Sequence, residues 1–92
     1  MRTAAAPATA VRSPGEAVAA RWTELLGRPG LSPESDFFDL GGDSLLVVRL
    51  ARRLGDDLGV RVPVRALMTG PTLAQQTALV ESLITAGAEE RR

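Results

Sequence analysis

Apolar residues recur at helical spacing in three stretches of this chain, and two of the three open on a helix-starting signature. Ser13-Pro14-Gly15-Glu16 supplies a hydroxyl N-cap, proline at the first helical position and glutamate at the third, an arrangement in which side chains satisfy two orphan backbone donors. Val18, Trp22, Leu25 and Leu26 follow as one stripe and Gly27 ends it, which predicts helix one from Ser13 to about Leu26. Val47, Leu50, Ala51, Leu54 and Leu58 share one side of a helical wheel and predict helix two over Ser44 to Leu58. Gly59 and the strand-like Val60-Arg61-Val62-Pro63 break it. Val64 to Met68 then has room only for a short third helix before Gly70-Pro71. Thr72-Leu73-Ala74-Gln75 repeats the capping signature, and the last helix is expected to reach about Ile84, burying Leu73, Thr77, Val80 and Ile84.

The connection from Arg28 to Asp43 contains Pro29, Gly30, Pro33, Gly41 and Gly42, which exclude a long helix. It also carries Leu31, Phe37, Phe38 and Leu40, apolar anchors expected to pin it to the bundle. Residues 1–12 lack an apolar stripe that could offset the entropy of ordering them and read as a mobile leader. Residues 86–92 read as a frayed polar tail, leaving a folded domain over 13–85. The expected fold class is all-α: a four-helix bundle with three long helices, one short third helix and a long loop between helices one and two.

Composition narrows the chemistry. The 92 residues allow one core. Eleven basic residues, all Arg, balance 11 acidic ones, and Lys, His, Cys and Tyr are absent. Without Cys there is no disulfide, thiol nucleophile or Cys-ligated zinc. Without His the usual metal ligand and general base are missing, so neither a metal site nor catalysis by the chain itself is expected. Electrical neutrality argues against nucleic acid as a partner. No apolar run is long enough for a membrane, and the first ten residues lack the continuous apolar segment of a secretory signal, so the expected location is cytoplasmic.

The informative stretch is Asp36-Phe37-Phe38-Asp39-Leu40-Gly41-Gly42-Asp43-Ser44-Leu45, a glycine turn that delivers a serine to the start of a helix. Gly42-Asp43-Ser44-Leu45 also spells the nucleophile motif of one class of lipases and esterases. That chemistry requires a His to accept the hydroxyl proton, and the chain has none. Two roles remain open to Ser44: N-cap of helix two, or a free hydroxyl if Asp43 supplies the cap. Phe37 and Phe38 are read as core anchors and Asp39 as a turn residue. With Ser44 at zero on the wheel, Val48 lies about 40° away, Arg52 about 80° and Leu45 about 100°, outside the stripe centred on Val47 and Leu54. Leu45 and Val48 either pack under the long loop or face partners.

These residues resemble the attachment site of acyl and peptidyl carrier proteins. The resemblance covers about residues 14 to 84 and includes Trp22-Thr23-Glu24-Leu25-Leu26, the whole block from Asp36 to Leu45, Val60-Arg61-Val62-Pro63-Val64 and Pro71-Thr72-Leu73. Within the family it is most similar to the carrier domains of nonribosomal peptide assembly lines. It implies a right-handed bundle of the acyl carrier type, with Ser44 bearing 4′-phosphopantetheine from coenzyme A and Gly41, Gly42 and Asp43 supporting it. The two glycines would give the turn its freedom and leave the serine unobstructed. The implied partners are a phosphopantetheinyl transferase, an adenylating or loading enzyme, and downstream condensation or tailoring enzymes, meeting a monomer through Leu45, Val48, Arg49 and Arg52. Arg49, Arg52 and Arg53 stand where fatty acid carriers present acidic residues, which argues against partners of the fatty acid type. The chain is expected to serve its enzymes in trans as a free-standing carrier, or to be a domain of a larger synthetase. An acyl carrier of a polyketide-type pathway and a helical adaptor without cofactor are the alternatives.

Overall fold

In the computed structural model, residues 13–90 are described, with side chains to residue 87. They form α1 (Pro14–Leu26), α2 (Ser44–Leu58), α3 (Val64–Thr69) and α4 (Leu73–Glu90). The first boundary follows the capping arithmetic. Ser13 Oγ accepts from the Glu16 amide at 3.1 Å and the Ser13 amide donates to Glu16 Oε1 at 3.0 Å. Gly27 closes α1 in the left-handed conformation, φ 68°, donating to the Thr23 carbonyl. At α4 the box recurs: Gln75 N donates to Thr72 Oγ1 and Thr72 N to Gln75 Oε1, both at 3.1 Å.

α1 packs against α2 and α4, and α3 closes the bundle by bridging α2 and α4. Val18, Trp22, Val47, Leu50, Leu54, Leu67 and Val80 fill the interior. Leu25, Leu26 and Leu58, expected within the buried stripes, are only partly buried against it, at the margin of the core. The strand-like segment 60–63 forms no strand; its Val62 is seated in the core while Arg61 and Pro63 face out. On the outside, Arg21 binds Asp57 through two hydrogen bonds of 2.6 and 2.7 Å, tying α1 to the end of α2, and reaches Glu24 at 2.9 Å. The bond from Arg21 holds the Glu24 carboxyl below its ordinary range, so this part of the brace is complete above that range and is lost as the pH falls through the lowered value.

Two expectations about α4 are corrected. The helix does not stop near Ile84 but continues through Ala86 to Glu90, because no Gly-Pro pair interrupts it and Gly87 alone costs only about 1 kcal/mol relative to Ala. Its most deeply buried face includes Gln76, which a search for apolar periodicity passes over, while Leu73, Thr77 and Ile84 are only half-buried. Gln76 Oε1 accepts from Trp22 Nε1 at 2.8 Å and its Nε2 donates to the Leu67 carbonyl at 3.2 Å. One amide thus satisfies the indole of α1 and an end carbonyl of the short α3, which has no continuing turn to bond it. The leader expected over 1–12 lies outside the described residues.

Gln76→Leu, similar in size, strands the indole N–H and the Leu67 carbonyl. It should lower stability by about 1–3 kcal/mol, read from the urea midpoint with Trp22 emission as the probe.

Candidate functional site

The loop from 28 to 43 is ordered by its own backbone. Phe37 N donates to the Pro71 carbonyl, Leu73 N to Ser35 and Ala74 N to Pro33, each at 2.9 Å, so the loop is laced to the start of α4. Phe37 is fully buried, its ring edge-on to Trp22 at 5.2 Å with 70° between planes. Leu31, Phe38 and Leu40 are partly buried around it, as anchors should be.

From Asp36 the chain makes a tight turn. Asp36 Oδ1 accepts from the amides of Phe38 at 2.8 Å and Asp39 at 3.1 Å, an Asx turn in which Asp39 contributes only its backbone. The Leu40 amide returns to the Asp36 carbonyl and the Gly42 amide to that of Phe37, at 3.1 and 2.9 Å. Gly41 adopts φ 104°, which side-chain-bearing residues rarely reach, so its expected conformational role stands. Gly42 is different. Its φ is not positive, but a Cβ there would overlap the Phe37 ring and lie 2.7 Å from the Phe37 carbonyl oxygen. The reason for Gly42 is therefore close approach to a buried ring, not the backbone freedom expected of it.

The turn ends at Asp43, extended at φ −139°, whose Oδ1 accepts from the Leu46 amide at 2.9 Å. Asp43 is thus the N-cap of α2, which decides between the two roles open to Ser44. Ser44 is the first helical residue and is exposed. Among the described residues no hydrogen bond engages its hydroxyl or the amides of Ser44 and Leu45. The first turn of α2 holds no acidic residue to neutralise these donors. A phosphodiester on this oxygen would meet free N–H groups, the positive end of the helix and open solvent, so the residues present fit such a group. The chain has no His to stand beside Ser44, the adjacent Asp43 carboxylate accepts from the Leu46 amide, and no cluster of metal-binding side chains occurs among the described residues.

Beside Ser44 the helix presents what the wheel places there. Leu45 is 61% exposed and Val48 42%, so neither is covered by the loop. Arg49 and Arg52 are also exposed. Met68 of α3, which sequence reasoning did not single out, is 40% exposed. Its signal was faint: in so short a helix, burying Leu67 turns the neighbouring position outward.

A four-helix bundle with an exposed serine hydroxyl at the start of a helix that its neighbour Asp43 caps is the geometry to be compared with known proteins. The family model for the phosphopantetheine attachment site matches residues 16–80. The chain belongs to that family, the carrier proteins of nonribosomal peptide synthesis and their kin, whose members bear covalent 4′-phosphopantetheine. Surfactin synthase subunit 3 of Bacillus subtilis is 39% identical over 67 residues, 73% of this chain and 5% of that protein. A solved nonribosomal PCP domain superimposes with TM-score 0.64 at 32% identity, covering 74% of this chain and 87% of that one. BlmI, a type-II acyl carrier protein of Streptomyces verticillus involved in bleomycin biosynthesis, gives TM-score 0.70 at 30% identity, covering 75% and 83%. The chain spans only 5%, 1% and 1% of the lengths of the first three curated relatives it matches.

The steric reading of the turn separates neighbouring positions. Gly42→Ala should cost about 1–3 kcal/mol through overlap with Phe37, and Asp43→Ala about 1 kcal/mol through loss of the cap. Ser44→Ala should stay within about 0.5 kcal/mol. Thermal or urea unfolding of the three variants checks the order.

Proposed function

We propose that the chain holds an aminoacyl, peptidyl or acyl group as a thioester on a 4′-phosphopantetheine arm attached through Ser44 Oγ, and presents it to the enzymes of a nonribosomal peptide or related secondary-metabolite pathway. The observation that carries this reading is the exposed Ser44 hydroxyl, relieved of capping by Asp43, within a chain of the attachment-site family. The arm supplies the thiol that forms the thioester.

The protein's own residues position and stabilise. Asp43 fixes the first turn of α2 and leaves the serine oxygen available. The amides of Ser44 and Leu45, at the start of α2, would stabilise the negative charge of a diester on Ser44 Oγ. Phe37, held against Trp22 and under Gly42, fixes where that turn begins. The chain contains no His, and the carboxylate next to Ser44, that of Asp43, is engaged in capping α2. We therefore assign activation of the hydroxyl to the transferase that delivers coenzyme A, and no catalytic step to the carrier. Leu45, Val48, Arg49 and Arg52, exposed beside the attachment point, are the residues we assign to partner contact. No described helix is long and apolar enough to cross a membrane.

Incubation with coenzyme A and a broad-specificity phosphopantetheinyl transferase should add one phosphopantetheine to the intact mass, and Ser44→Ala should abolish the gain with helicity unchanged. An unmodified wild type would leave the adaptor reading instead. Val48→Asp should slow modification or loading with little change in melting temperature. Leu54→Asp, which puts a carboxylate in a fully buried site, should unfold the domain.

A further inference from the structure

The arginines of α2 divide into two sets. Arg53 turns toward α1 and stands 3.6 Å from Glu24, inside the brace that Arg21 organises. Arg49 and Arg52 are exposed and form no ion pair among the described residues. Arg61, in the connection to α3, is likewise exposed and unpaired there, and lines one shallow groove with Val48 and Arg52. Val64 of α3 lines the same groove, and Met68 lies one turn beyond it. The large apolar side chains exposed among the described residues are Leu45 and Val48 of α2 and Met68 of α3. Asp56 is the carboxylate of the groove, at the end of α2 remote from Ser44. In a chain of zero net charge, this face combines an apolar centre with an excess of solvent-facing guanidinium groups.

Resting on the carrier reading, we propose that the enzyme acylating the arm docks on this face through an apolar patch ringed by Asp and Glu carboxylates, with Arg49, Arg52 and Arg61 as the complementary ring. An apolar centre excludes water and supplies the contact area. Guanidinium groups at its margin choose the sign of the partner and accelerate encounter, an effect that weakens as salt screens it. The same margin repels a loading enzyme built for an acidic carrier, and Arg61 extends recognition from α2 into the connection that precedes α3.

The test uses the phosphopantetheinylated chain and the adenylating enzyme found, by screening for thioester transfer, to load it. We expect Arg52→Glu and Arg61→Glu each to lower kcat/KM for loading about tenfold at roughly 50 mM salt, Arg52→Gln to lower it less, and all three deficits to shrink at about 0.5 M salt, where screening is nearly complete. Melting temperatures should be unchanged. Adding Glu81→Arg on α4 to Arg52→Glu restores the net charge and should not restore loading, because the effect belongs to the face. Unchanged loading would overturn the proposal. So would faster loading, which identifies a basic ring on the partner, or a deficit insensitive to salt, which identifies shape rather than charge. Recovery with Glu81→Arg, which identifies a whole-molecule field, and self-association through this face, seen as a concentration-dependent mass in solution, would overturn it equally. Absence of a mass gain on the wild-type chain, by contrast, removes the carrier reading itself.

Discussion

Burial of the Phe37 ring is the constraint on which the rest of the site depends. The ring occupies space between Trp22 and the turn, and from that placement three consequences follow. Its amide must bond outside the loop and finds the Pro71 carbonyl, which fixes the loop to the start of α4. Its carbonyl accepts from Gly42, which bends the chain back over the ring. The residue there can have no side chain, so the backbone passes close to the core and enters α2 at Asp43 in one register. The exposed position of the Ser44 oxygen is the last link in this sequence.

Above the ring, polar and apolar interactions divide the work between the two ends of the bundle. Near Trp22 a single buried glutamine joins α1, α3 and α4 through two hydrogen bonds, in surroundings where an unmade one is costly. At the surface Arg21 joins α1 to the end of α2 through solvent-exposed pairs whose individual worth is small. Neither arrangement reaches the face beside Ser44. The side chains on that face, Leu45, Val48, Arg49 and Arg52, stand exposed.

Most of this was legible in the sequence, for identifiable reasons. Ser13 with Glu16, Thr72 with Gln75, and the glycines after Leu26 and Leu58 are local signals whose chemistry acts within a few residues, and the helices begin and end accordingly except at the last terminus. The stripe of α2 is nearly complete, and placing Ser44, Val48 and Arg52 outside it needed only the helical pitch. Gln76 was not legible, because a polar residue is buried only when partners distant in sequence await it, here 54 positions from Trp22. The reason for Gly42 was hidden similarly, since a glycine in a turn does not disclose whether conformation or crowding requires it.

That last distinction bears on how substitutions in the turn are interpreted. On the proposal that Ser44 bears the arm, a bulky residue at position 42 would abolish attachment as completely as loss of the serine, yet it would do so by expelling an aromatic ring from the interior rather than by removing a reacting atom. A screen scored on modification alone would therefore give Gly42 and Ser44 the same phenotype. A screen scored on folded protein would distinguish them at once, with Gly42 sorting alongside Trp22 and Phe37, and Ser44 among the residues whose loss the fold does not register.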